Sequence, residues 1–272
     1  MVIIKNSFSK RAVTYDSQSF IQKEVNNRLI ERLGLIKHSK SNILDIGSGT
    51  GKLTQDVEKK YPGINVTSLD MSFDMLQVHR NKNHNAKCVV GNAENLPFKL
   101  SSFDTILSSL TLHWCTIDSE LFLNFYNLLK PQGLLLFSVS GPDTFKEFKK
   151  CPANILQKLR FNDFLDMHHY GDFLLNSNFK DPVVDNEQIT LEFSSFNQLL
   201  KSIRLTGTNI TESSNRARIT KSEYNTIKSC LYNDVSNSFE LTYDIIFGYA
   251  LKPAKTLDKS GKLIKIKEIK KE

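Results

Sequence analysis

The chain has 272 residues, 40% of them hydrophobic, and carries 36 Lys and Arg against 29 Asp and Glu for a formal net charge of +7. That length and composition support one large α/β unit with a sizeable core, while four scattered cysteines, Cys88, Cys115, Cys151 and Cys230, without a C-x-x-C pair, exclude a disulfide framework or a zinc site as the organising device. The charge is local: residues 252–272 hold eight lysines against Asp258, Glu268 and Glu272, so the body is nearly balanced and argues against a nucleic-acid surface.

No apolar run approaches about 18 residues, and the opening Val2-Ile3-Ile4 is too short for a signal-peptide core, so a cytoplasmic protein without a membrane span is expected. The lysine-rich segment 252–272 reads as a solvated tail. From residue 42 the chain alternates short apolar runs with helix-like stretches, the pattern of a mostly parallel sheet covered on both faces. NILDI at 42–46 is the first strand, a helix follows from Gly51 to Lys60, Tyr61-Pro62-Gly63 breaks it, and INVTSLD at 64–70 is a second strand ending on an acid. A short helix at 73–80, strands at 88–90 and 103–110, and a helix at 118–129 come next, stopped by Lys130-Pro131-Gln132-Gly133. GLLLFSVS at 133–140 has the unbroken apolar character of a central buried strand. Beyond it a helix at 168–177, a strand at 182–193, helices at 195–206 and 220–234 and a last strand at 241–251 are expected, with 195–238 inserted as a cap before that strand.

Asp45-Ile46-Gly47-Ser48-Gly49-Thr50-Gly51 falls where the first strand turns into a helix, and its glycines allow a tight turn and a close approach of backbone to ligand. A dinucleotide fingerprint fails because Lys52 stands where its third glycine belongs, and a phosphate-binding loop fails at Ile46 and Leu53. Asp70, ending the second strand, has two oxygens able to accept both hydroxyls of a ribose. Taken singly, Asp45 also reads as a loop brace and Asp70 as a solvated strand-end acid.

The D-x-G-x-G-x-G run resembles the first motif of the class I methyltransferases, in which it holds the amino-acid part of S-adenosylmethionine. The resemblance implies that Gly91-Asn92-Ala93-Glu94 borders the adenine, with Asn92 in place of the usual Asp, and extends the cofactor set from Asp45, Gly47, Gly49, Gly51 and Asp70 to Met71, Asn92, Ala93 and Leu110. A turn-stabilising role for Asn92 stays open. Further segments, SFSKRAVTYDSQSFIQKEVNNRLIERL at 7–33, LTLHWC at 110–115, LLKPQGLLLFS at 128–138, GPDTFKEF at 141–148, FNDFLDMHHYGDFLLNSNFKDPVVDNEQITL at 161–191, KSIRLTGTN at 201–209 and LTYDIIFGYA at 241–250, resemble the malonyl-acyl carrier protein O-methyltransferases of biotin synthesis. Departures are Ser48 for a frequent Cys, Asn92 for Asp, and Gln132 in a KPGG turn. The fold implied is a Rossmann-like α/β class I methyltransferase with a mostly parallel sheet, an antiparallel last strand and an inserted helical cap: a single domain over residues 1–251 with a helical N-terminal segment at 7–38.

The reaction implied is methyl transfer from S-adenosylmethionine to the free carboxylate of a malonyl thioester. Such a carboxylate is ionised at neutral pH, so the protein needs to orient it and exclude water rather than supply a strong base. Arg204 in the cap, Tyr15 in the N-terminal segment and His113 beside Trp114 after the fourth strand are the candidates for positioning it. A surface arginine and a packing tyrosine are the plain alternatives, and Trp114 reads equally as core. His168, His169 and Asp172 lack further nearby ligands for a metal. The acyl carrier partner implied is acidic, and Lys10, Arg11, Arg216, Arg218 and Lys221 are candidates for its docking surface. Rival functions are a methyltransferase-fold factor of respiratory complex I assembly, a small-molecule carboxyl methyltransferase, and a cofactor-binding protein without catalysis.

Overall fold

A computed structural model describes residues 9, 12, 15, 16, 19–159, 161–206 and 218–254, without the side chains of 204–206. Its centre is an eight-stranded sheet. In chain order the elements are α1 (Phe20–Leu35), β1 (Asn42–Ile46), α2 (Lys52–Lys60), β2 (Asn65–Asp70), α3 (Phe73–Lys82), β3 (Lys87–Val90), β4 (Phe103–Ser109), α4 (Ser119–Leu128) and β5 (Leu129–Ser140). They continue with α5 (Ala153–Leu159), α6 (Met167–Asn176), β6 (Lys180–Phe193), α7 (Phe196–Thr206), α8 (Lys221–Leu231), β7 (Tyr232–Asn233) and β8 (Ser238–Leu251).

The strand order is β3-β2-β1-β4-β5-β8-β6, with β7 paired to β8. Strands β1 to β5 pair in parallel, and β8 runs antiparallel to both β5 and β6. Each of the central strands carries side chains that are wholly buried, Ile43 and Leu44 in β1 and Ile106 in β4 among them, because helices cover both faces. Leu107, Leu134 and Leu136 face α1 and the later helices, while Ile106, Leu135 and Phe137 face α4 and α6. The direction of chain progression reverses between β1 and β4, which opens a crevice at the carboxyl ends of the strands, the usual ligand position in such sheets.

Two ties lock the ends of the sheet to the rest. Arg28 and Arg32 on α1 form ion pairs with Glu187 on β6, Arg32 also reaches Asp185 at 3.1 Å, and its guanidinium lies 3.9 Å from the centre of the Phe247 ring. Lys252, counted with the tail from sequence, belongs to the body: it is 5% exposed, and its Nζ donates to the carbonyls of Tyr126 and Leu129 at 2.8 Å each. A long aliphatic stem and three donors let a lysine cap the end of α4 from inside the protein.

The carboxyl half departs from the sequence expectation in its details. The helix expected over 220–234 stops at Leu231, because Tyr232 and Asn233 pair with Phe239 and Ser238 and turn the chain into β8. The start of α8 is fixed by a reciprocal cap between Thr220 and Glu223. Helix α5 was not anticipated; Ile155 is its buried residue. Helices α7 and α8 fall between β6 and β8 and bury Phe196, Leu199, Ile203, Ile227 and Leu231 in the cluster that also holds Leu241 and Tyr243.

Candidate active site

The glycine loop leaves β1 and enters α2. Gly47 has φ +74°, and a Cβ there would lie 2.1 Å from the Thr111 hydroxyl oxygen, so no other residue fits without moving the start of the next loop. Gly49, φ +54°, is different: a Cβ there would meet no protein atom within 4 Å, because the position faces an open cleft. The loop is held to the neighbouring strand by Asp70, whose Oδ2 accepts from the Gly49 N–H at 2.9 Å and Oδ1 from the Ser72 N–H at 2.8 Å. Burial raises the Asp70 pKa and the backbone donors pull it back down. Each of its oxygens keeps a lone pair for a further donor.

A cleft of about 1010 Å³ of empty space lies over these strand ends. Its wall is formed by Gly47, Gly49, Asp70, Met71, Asn92, Ala93 and Leu110 together with Tyr15, His113 and Trp114. Asp45 and Gly51 stand apart from that wall. The Asp45 carboxylate accepts from Thr54 Oγ1 at 2.7 Å, which in turn contacts Ser68 Oγ at 2.8 Å, so it braces the loop against α2 and β2; burial pushes its pKa up to about 7. Gly51 serves as the N-cap of α2. Asp45 does border a smaller adjoining cavity, with Lys23, Asn26 and Lys52.

Asn92 makes the turn that the sequence left open: its Oδ1 accepts from the Glu94 N–H at 3.1 Å and its Nδ2 donates to Glu94 Oε2 at 3.2 Å. It nevertheless lies on the cleft wall, and an amide oxygen has a second lone pair for an adenine amino group. Leu110 has φ +48°, an uncommon conformation for leucine, and its N–H donates to the Ser138 carbonyl at 2.9 Å. The turn carries the chain from β4 across the cleft into the short helical turn Leu112–Trp114.

That turn brings in His113. Its ring lies 5.0 Å from Trp114 and edge-on to Phe164 at 5.4 Å, so the 161–191 segment braces the cleft through Phe164. Burial drives the His113 pKa down to about 3, leaving a neutral ring whose Nδ1 has no partner. Tyr15 lines the same cleft, and burial with the nearby charges of Asp70 and Asp16 raises its pKa, so it remains a phenol. Asp16 ties this stretch to the loop through Thr50 and Lys82. The site therefore presents two uncharged donors rather than a base.

Arg204 belongs to α7, but its side chain lies outside the described residues, as do Lys10, Arg11 and Arg216; Arg218 and Lys221 are exposed. His168 is paired with Asp166 at the exposed start of α6, while Tyr170 of the same segment is wholly buried against Phe137. Among the described residues no group of three or more His, Cys, Asp or Glu can hold a metal, and no helix is long and apolar enough to cross a membrane. Sequence reasoning missed Gln22, Ser140, Tyr243 and Ile245, which also line the cleft. Tyr243 and Ile245 share an orientation by strand alternation, but nothing in β8 alone says that this face borders the cleft.

The residues present fit S-adenosylmethionine: an acid with lone pairs for a ribose, open space at Gly49, and a lining that combines apolar side chains with Asn92. A methyltransferase-domain family model matches residues 44–137, the segment from β1 to β5. In solved structures the fold recurs in the YcgJ protein of Bacillus subtilis, TM-score 0.60 at 16% identity over 84% of this chain and 98% of that one. It recurs also in Haemonchus contortus phosphoethanolamine N-methyltransferase 2 in complex with S-adenosyl-L-methionine, TM-score 0.53 at 21% identity over 84% of this chain and 52% of that one. These likenesses establish the Rossmann-like fold. Sequence similarity reaches further: a malonyl-[acyl-carrier protein] O-methyltransferase of Gallionella capsiferriformans is 32% identical, covering 96% of this chain and 94% of its own. One of Laribacter hongkongensis is also 32% identical, covering 92% and 89%. Similarity of that extent spans the glycine loop, the Phe164 segment and β8 alike, and the chain belongs to the malonyl-[acyl-carrier protein] O-methyltransferase family.

Proposed function

We propose that this protein transfers a methyl group from S-adenosylmethionine to the free carboxylate of malonyl-acyl carrier protein, giving the methyl ester that primes pimeloyl synthesis for biotin in the cytoplasm. The observation that carries this reading is one cleft lined both by a ribose-accepting acid, Asp70, and by two neutral donors, Tyr15 and His113. Bound S-adenosylmethionine supplies an electrophilic sulfonium methyl. Gly47, Gly49, Asp70, Met71, Asn92, Ala93 and Leu110 hold the cofactor, with Asp45 and Gly51 shaping the loop from behind.

A malonyl carboxylate arrives as the anion, so the task of the protein is to hold one oxygen and leave the other free to attack in line. The Tyr15 hydroxyl and a His113 N–H are donors that cannot take a proton from or give one up to the carboxylate at neutral pH, given the direction of both pKa shifts. Arg204, on the helix next to Tyr243, supplies the cationic grip in this proposal. Helices α7 and α8 form a cap within the single unit 1–251. The acidic carrier protein docks through Arg218 and Lys221 together with Lys10, Arg11 and Arg216.

Labelled S-adenosylmethionine offered with malonyl-acyl carrier protein and, in parallel, with the acetyl form tests the reaction. Label on the malonyl form alone is expected. No label on either, with cofactor binding intact, overturns the assignment.

A further inference from the structure

The cleft and the smaller cavity meet at the glycine loop, and Tyr15, Gln22, Gly47, Gly49 and Ser109 border both. Gln22 is distinctive there. It sits in the first turn of α1 between Ile21 and Val25, which are 2% and 0% exposed, so its backbone is anchored in the core. Its side chain hydrogen-bonds the Tyr15 hydroxyl, and since the carbonyl Oε1 has no partner the bond runs from the amide N–H. With the nitrogen committed to Tyr15, the carbonyl Oε1 is left buried without a partner at the junction of the two cavities. A buried acceptor without a donor is costly, and its persistence at a ligand cavity points to a donor that arrives with the ligand.

The surroundings say which kind of donor. Asp70 and Asp16 both act on Tyr15 through their charge, so the junction favours a cation. The adjoining cavity is bordered by Lys23, by Lys52, which is paired with Asp56 at 2.7 Å, and by Asp16 and Asp45. The donor that suits the orphaned carbonyl oxygen beside these acids is an ammonium. We propose that Gln22 Oε1 accepts a hydrogen bond from the α-ammonium group of the amino-acid part of S-adenosylmethionine, while the same side chain holds Tyr15 in place. The inference rests on the cofactor reading above.

Calorimetric binding of S-adenosylhomocysteine, which keeps the amino-acid part, and of 5′-methylthioadenosine, which lacks it, separates the contact from architecture. Hydrogen bonds to charged groups are strong enough that Gln22→Leu should weaken S-adenosylhomocysteine about tenfold or more and leave 5′-methylthioadenosine within about twofold. Gln22→Glu keeps an acceptor and should hold S-adenosylhomocysteine within about threefold of wild type. Equal weakening of both ligands by Gln22→Leu, no weakening of either, or a larger loss with Gln22→Glu than with Gln22→Leu overturns the inference. Failure of the wild type to bind either ligand is a separate result that removes the cofactor reading and this contact with it.

Discussion

The lining of the cleft is made in two ways. The wall proposed for the cofactor is chiefly backbone: a glycine loop, a bend at Leu110 and strand ends placed by consecutive parallel pairings. The remaining lining is assembled from side chains of remote segments, Tyr15 and Gln22 before β1, His113 after β4 and Tyr243 on β8. A wall of the first kind announces itself locally, because a glycine required by its backbone leaves a mark in the sequence. A wall of the second kind exists only once the chain has folded.

The sharpest test of the cofactor wall sets two of its glycines against each other. Gly47→Ala meets both a left-handed backbone and a 2.1 Å clash with Thr111, so a loss of about 3 kcal/mol in folding stability is expected. Gly49→Ala faces open space, so its stability loss should stay near 1 kcal/mol while its methyl intrudes into the cleft and, with the cofactor held there as proposed, weakens S-adenosylmethionine at least about tenfold. Urea melts and calorimetry measure the two effects. A Gly49→Ala protein that binds normally would show that the cleft at Gly49 is not the cofactor's place.

The side-chain lining breaks in another quantity. His113→Phe preserves the ring contacts with Trp114 and Phe164 and removes the ring nitrogens, so kcat/KM for the malonyl thioester should fall about ten- to hundredfold with cofactor affinity unchanged. Because burial holds the His113 pKa at about 3, its protonation contributes no inflection to the kcat/KM profile of the free enzyme between pH 5 and 8. An inflection near 6.5 that disappears in His113→Phe contradicts the neutral-donor role.

Legibility followed the same division. The spans of β1, α2, β2 and β4 were readable within a residue or so, since apolar runs and the break at Tyr61-Pro62-Gly63 fix them locally, whereas β5 starts at Leu129 and takes in the Lys130-Pro131-Gln132-Gly133 stretch expected to precede it. The β7 hairpin was hidden because Tyr232 and Asn233 become a strand only by pairing with Phe239 and Ser238. Lys252 looked like tail because its burial depends on the carbonyls of Tyr126 and Leu129 more than a hundred residues away. At the site, Asp70 was legible from its place at a strand end, whereas Gln22 carries no signal in one sequence: a glutamine early in an amphipathic helix is ordinarily a solvated residue.

Behind the cofactor wall, Asp45 offers a test by pH. Its folded pKa of about 7 stands above its ordinary 3.8, so the stability it contributes is fully present below about pH 4 and is lost as pH rises through 7, when a buried carboxylate must ionise. Asp45→Asn retains an acceptor for Thr54 and does not titrate. The stability of wild type relative to Asp45→Asn should therefore decline between pH 4 and 7, at no more than about 1.4 kcal/mol per unit, and level off above. A difference that is flat across that range would place the Asp45 carboxylate in contact with water.

The smallest expected effect lies far from the cleft, at the turn that starts the buried part of β5. Gln132 has φ +64°, and its N–H donates to the Lys252 carbonyl at 3.0 Å, so the turn is fixed in a left-handed conformation by a bond that does not involve the side chain. The side chain is exposed and contributes no packing to be lost. Replacing it with glycine relieves a left-handed penalty of roughly 1–2 kcal/mol and adds unfolded-state entropy of roughly 0.5–1 kcal/mol, for a net gain of about 0.5–1 kcal/mol. Gln132→Gly should accordingly raise the urea midpoint slightly and leave both cofactor binding and turnover unchanged, because the turn touches neither wall. A loss of stability instead would mean that the unfolded chain gains more from glycine than the folded turn does.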